Sequence, residues 1–198
     1  MKRDEAWDIL CEYTKGERLR KHGIAVEAAM RAYAGKYGED EETWGCVGLL
    51  HDFDFEMHPT EDEHPSKGAP ILREKGVPEE IVHAVLCHAS YLEKLGVERE
   101  NMMDRAIFAV DELSGFVVAV ALVRPNKSIH EVKVKSVKKK LKDKGFARTV
   151  RREDITGGAE VLGVELDEHI QFVIDSLKPV ADELGIAGAD QGAGDQAT

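Results

Sequence analysis

One carboxylate constrains this chain more than any other residue. Asp111 lies within NMMDRAIFAVDELSGFVVAVALV, residues 101–123, the segment that carries the longest apolar stretch. Ile107, Asp111, Ser114 and Val118 recur at intervals of three and four, the period of a single helix face. The spacing predicts a long helix, halted before Pro125, with a carboxylate on its inward side. An ionised carboxylate is expensive to bury unless it is paired or bound to a metal. Any fold this chain adopts must therefore bring a partner to Asp111.

Candidate partners fall on other helical faces. Leu19, His22, Val26, Ala29 and Tyr33 share one side of a predicted helix, so His22 points inward. Val47 and His51 share another face, with Asp52 directly after. Ile81, Val85 and His88 line up on a third, with Ala84 between them. Each residue alone has an ordinary reading. A lone inward histidine is more often a hydrogen-bonded core residue than a ligand, and Asp111 could pair with Arg105. Together, four helices each direct a ligand-type side chain into apolar surroundings, and a shared cation would satisfy all of them.

Helical periods dominate elsewhere too, and no convincing set of alternating strands appears. The expected fold is all-α, a single domain of roughly seven to nine helices. Thr14 and Glu17 have the spacing of a capping box. Asp40 suits the cap of DEETWGCVGLLHD, and Pro65 suits the first position of HPSKGAPILREKG. PEEIVHAVLCHAS, VKSVKKKLKDKG and LDEHIQFVIDSLKPVADELG read as further helices. The domain is expected over 1–184, with a core at 17–124 and a basic helical part at 125–184. The glycine-rich end, 185–198, reads as a disordered tail.

Composition narrows the functions. With 198 residues, 42% of them hydrophobic, the chain can bury a real core. A net charge of −11 argues against a general binder of nucleic-acid polymers. Cys11, Cys46 and Cys87 are widely spaced and odd in number, which fits free thiols in a reducing compartment. The charged start MKRDEAWDIL lacks a signal-peptide core, and GFVVAVALV is too short to span a bilayer. The expectation is a cytoplasmic protein without membrane attachment. The same apolar stretch could be core or the face of a homodimer. Residues 127–152 break the acidic average, with eleven Lys and Arg against Glu131 and Asp143. That segment is either a solvated face balancing an acidic body or a positive wall beside a phosphate site.

The order His22, His51-Asp52, Asp111 resembles the HD-domain superfamily of metal-dependent phosphohydrolases, over roughly residues 17–124. HPSKGAPIL, His64 to Leu72, is similar to the HP-x-x-G-x-x-I-L segment of its HDIG-type members, and His88 matches a further histidine of that group. The resemblance implies an HD-type helical bundle with six metal ligands: His22, His51, Asp52, His64, His88 and Asp111. It departs from the HD-GYP kind, since HASYLEKLG after His88 holds no Gly-Tyr-Pro segment. FDFE after Asp52 also lacks the pattern of guanosine-tetraphosphate hydrolases.

A histidine and carboxylate set suits one or two ions of Fe, Mn, Co or Ni, or Mg, better than a closed thiolate site. Asp52, expected to be catalytic, would bridge two ions, and activated water would attack a nucleotide or another small phosphorylated metabolite. Lys67 could grip phosphate, with Lys135 and Lys139 weaker candidates. Asp54 and Glu56 could carry protons but read more readily as solvated loop residues. His58, His83, His130 and His169 are expected to be structural or surface residues. Two other readings of the same six ligands are a di-iron oxygenase and a non-catalytic, nucleotide-binding sensor.

Overall fold

The computed structural model describes residues 1–188. Among these, eleven α-helices and two single 3-10 turns follow one another, and no strand is formed. In chain order the helices are α1 (Arg3–Tyr13), α2 (Glu17–Tyr37), α3 (Glu41–Leu50), α4 (Gly68–Glu74), α5 (Glu79–Cys87), α6 (Leu92–Leu95), α7 (Met102–Leu122), α8 (Val134–Leu141), α9 (Arg152–Leu162), α10 (Leu166–Leu177) and α11 (Ala181–Leu184). The all-α expectation holds. The surplus over nine comes from one-turn helices such as α6 and from α9.

Helix α7 is the axis of the bundle. It packs against α2, α3, α5, α9 and α10, and α2 packs against α3 along much of its length. Its apolar run belongs to the core. Phe116, Val117, Val120 and Ala121 are buried, and only the final Leu122 and Val123 are well exposed. No helix of the described residues is long and apolar enough to cross a membrane. The three cysteines are free thiols.

Close backbone contact sets where the ligand-type residues end up. A Cβ on Gly48 would fall 2.6 Å from the backbone nitrogen of Glu27, so glycine lets α3 press onto α2. That approach carries His51, at the end of α3, to His22 on α2. Beside it, the buried Glu27 carboxylate takes Arg3 at 2.8 and 3.0 Å and Arg31 at 2.8 Å, which ties the start of α1 to α2.

Several local expectations change. Asp40 caps α3 through the amides of Glu42 and Thr43, and Gly38 closes α2 at φ 74°. Thr14, however, does not cap α2. Gly16 holds that position, and the Thr14 hydroxyl donates instead to the carbonyl of Phe53 at 2.8 Å. Helix α4 begins at Gly68, with Pro65 in the preceding turns. The expected C-terminal helix is broken by a 3-10 turn at Lys178–Val180.

Helix α9 has no counterpart in the sequence reading, because its central Gly157-Gly158 resembles a break. Gly158 is instead a contact residue: a Cβ there would lie 2.7 Å from the Cα of Ala109 on α7. The chain also stays packed past residue 184. Ile186 is fully buried and its carbonyl accepts from the Ile129 amide at 2.7 Å. The rest of the expected tail, 189–198, lies outside the described residues.

Candidate metal centre

Helix ends build most of the site. The last carbonyls of a helix lack intrahelical partners. His51 follows α3 and returns its Nδ1–H to the Gly48 carbonyl at 2.8 Å; His88 follows α5 and does the same to Val85 at 2.5 Å. Because a carbonyl only accepts, Nδ1 carries the proton in both rings and Nε2 of the neutral ring is a bare lone pair. His64, in the turns before α4, has its Nδ1 against the Asp54 carboxylate at 2.7 Å, so its Nε2 is bare as well.

These Nε2 atoms converge, together with that of His22. Nε2 of His64 lies 3.0 Å from Nε2 of His88, and Nε2 of His51 lies 3.2 Å from Nε2 of His22. Two facing lone pairs repel unless a proton or a metal cation sits between or beside them. Asp52 joins the two pairs. Its Oδ2 is 3.5 Å from His51 and 3.7 Å from His22, while its Oδ1 is 3.1 Å from His64 and 3.7 Å from His88. Asp111 completes the first pair, with Oδ1 2.9 Å from His22 and 3.4 Å from His51. The structure thus gathers all six residues. Two of the groups within it, His22–His51–Asp52 and Asp52–His64–His88, could each hold a metal ion.

The electrostatics reflect this crowding. Burial works to lower the His51 pKa, but Asp52 and Asp111 overcome it and hold the group well above its ordinary value. Burial works to raise Asp52 and Asp111, but the adjacent histidines hold both carboxyls well below the usual range. His64 is opposed by burial yet raised to about 9 by Asp52 and Asp54, whereas burial and the neighbouring His64 and His51 push His88 down to about 4. A proton accepted by His64 thus excludes one on His88.

His51, His64 and His88 are buried, while the side chains of His22, Asp52 and Asp111 keep 17–20% of their surface exposed. The site therefore opens on the side of the last three. Glu112 adjoins Asp111 on α7, near the Arg151 backbone, and is raised to about 7 by burial and by Asp111. Tyr91 adds a hydroxyl that donates to the His64 carbonyl at 2.7 Å, next to a groove of about 360 Å³ along Ser90–Lys94.

The other sequence candidates are placed differently. Lys67 is exposed and paired with Glu63; Lys135 and Lys139 are exposed on α8 and outside the cluster. Asp54 is fully buried rather than solvated, and one of its oxygens, Oδ2, has no partner. Glu56 remains exposed, binding the amides of Lys15 and Gly16. His169 is a structural residue, buried and held by Tyr33 and the Ala109 carbonyl. The burial of Asp54 escaped the sequence reading because no helical period marks the turns that carry it. The pairing of Asp54 with His64, ten residues apart, is set by those turns.

Residues 19–115 match the family model of the HD domain, and this part of the chain is an HD domain. The superfamily comprises metal-dependent hydrolases whose members bind divalent metals. Among curated relatives, Ribonuclease Y of Symbiobacterium thermophilum is 31% identical over 84 residues. The match takes in 42% of this chain but only 16% of that protein. No solved structure gives a significant match.

Proposed function

We propose that the chain is a metal-dependent phosphohydrolase acting on a nucleotide or another small phosphorylated metabolite. His22, His51, His64, His88, Asp52 and Asp111 would hold two divalent cations, with Asp52 shared between them. The observation that carries this reading is the convergence of four imidazole Nε2 atoms, two on either side of one carboxylate. Divalent cations held there supply Lewis acidity toward a phosphoryl oxygen and a water acidic enough to act as nucleophile near neutral pH.

The chain's own residues do the positioning. The Gly48 and Val85 carbonyls and the Asp54 carboxylate fix three imidazoles in one tautomer and one orientation. Asp52 and Asp111 offset cationic charge on the open side, where substrate enters. Arg151 is the basic residue suited to a phosphate at that opening, in place of Lys67, Lys135 and Lys139. It is half-exposed and held by Glu61 and Asp154, each at 3.0 Å, and the surface Glu61 can yield to a phosphate. The net charge of −11 favours a small substrate over a polyanion.

The test is a panel of mononucleotides, sugar phosphates and a short RNA, offered to protein loaded with Mn, Co, Ni or Fe. Phosphate release from a small ester is expected, with slower or no cleavage of RNA and none by Asp52→Asn. A fully metallated protein that releases no phosphate from any small ester contradicts the proposal.

A further inference from the structure

A different set of metal-binding side chains lies where α5 meets the start of α7. His83 and Cys87 stand four apart on α5, with Nε2 and Sγ 3.5 Å from each other. Asp104, in the first turn of α7, places Oδ2 3.4 Å from the same Nε2. The Glu98 carbonyl oxygen closes the figure, 3.1 Å from Nε2 and 3.4 Å from Sγ. His83, Cys87 and Asp104 together form a group able to hold an ion, apart from the six residues of the HD site.

Four of the six donor–donor spacings match a tetrahedron around zinc. Bond lengths of about 2.3 Å to sulfur and 2.0–2.2 Å to nitrogen and oxygen imply donor–donor edges of roughly 3.3–3.6 Å. The four measured spacings, 3.1 to 3.5 Å, fall on or close to that range. The other oxygen of Asp104 gives a second indication. Its carboxylate is fully buried, and although Oδ2 takes the amides of Glu100 and Asn101, Oδ1 has no hydrogen-bond partner. Such a group is costly unless a charge compensates it. Arg99 is engaged elsewhere, by the carbonyls of Cys87 and Ala89 and the ring of Phe108.

We infer that His83, Cys87 and Asp104, with the Glu98 carbonyl, form a second metal site that takes a zinc-type divalent cation. Four protein donors fill a tetrahedral shell, which makes the site structural rather than catalytic. Binding releases the Cys87 proton to solvent and leaves the His83 ring proton on Nδ1, so that bonds to the ion replace the two hydrogen bonds to the Glu98 carbonyl. His83, with about a quarter of its side chain exposed, gives the ion its way in. The ion clamps the end of α5, which leads into His88, to the beginning of α7, which carries Asp111.

Cobalt titration of the full chain tests this, because the HD site contains no sulfur ligand. Chelator-stripped protein titrated with Co²⁺ is expected to show a sulfur-to-cobalt charge-transfer band in the near ultraviolet. Cys87→Ser should lose the band while retaining helical circular dichroism and the weaker visible cobalt absorption of the HD site. His83→Gln, a change at a partly exposed position, should weaken the cobalt affinity read from that band at least tenfold. The inference is overturned if saturated wild-type protein shows no such band, or if the band is equally strong in Cys87→Ser.

Discussion

Two buried histidine pairs show how a core residue differs from a candidate ligand. At His169 every polar atom is spent. Nε2 donates to the Ala109 carbonyl at 2.9 Å, leaving Nδ1 to accept from the Tyr33 hydroxyl at 2.7 Å. At His64 and His88 each Nδ1–H is spent in the same way, but the two Nε2 atoms face each other at 3.0 Å and can share only one proton. The first pair is complete as it stands. The second is completed by a proton or, in its place, a metal cation. Burial alone therefore does not distinguish a structural histidine from a ligand; what the second nitrogen meets does.

Substitutions should separate the two regions. The largest effect is expected from Asp52→Asn, which removes the charge shared by both histidine pairs. Hydrolysis should fall by at least about 100-fold and bound metal to background by elemental analysis. Stripping metal from the wild type comes next. At a metal concentration a thousandfold above Kd the linked stabilisation is about 4 kcal/mol, so chelation should lower Tm by roughly 10 °C. Asp54→Asn follows, since it frees the His64 ring without removing a ligand. Metal affinity should weaken about 10- to 100-fold, measured by competition with a chelating dye, while the fold is kept. His169→Phe should do the opposite. It strands the Tyr33 hydroxyl and the Ala109 carbonyl and costs about 1–3 kcal/mol in denaturant titration, with bound metal unchanged.

The smallest expected effect is on pH. Burial, aided by Lys36 and opposed by the bond to Ala109, holds the His169 pKa below its ordinary value. The unfolded chain therefore takes up a proton that the folded chain refuses as pH falls below about 6.5. The stability tied to His169 is full above that pH and declines below it. In metal-loaded protein, the acid slope of stability should be shallower for His169→Phe than for wild type.

His22, His51 with Asp52, His88 and Asp111 were legible in helical spacing, whereas His64 entered only through the resemblance of HPSKGAPIL to the HDIG-type segment. His22 and Asp111 share faces with Val26 and Ile107, and the bundle turns those faces toward each other. What stayed hidden depends on close approach between segments. Asp54 reads as a loop acid until the turns after α3 bury it behind His64. Gly158 reads as a helix breaker until α9 lies on Ala109. His169 reads as polar until α10 meets Tyr33. In each case the deciding contact comes from a distant or aperiodic part of the chain, which local pattern does not register. The Thr14–Glu17 spacing failed in the reverse sense, because a local cap lost to a buried hydrogen bond with Phe53.

Anomalous diffraction at the absorption edge of a supplied metal, such as manganese, tests the central claim most directly. The account predicts two peaks flanking the Asp52 carboxylate, one beside His22 and His51 and the other beside His64 and His88. A well-ordered crystal of metal-saturated protein with no peak near those four Nε2 atoms would contradict it.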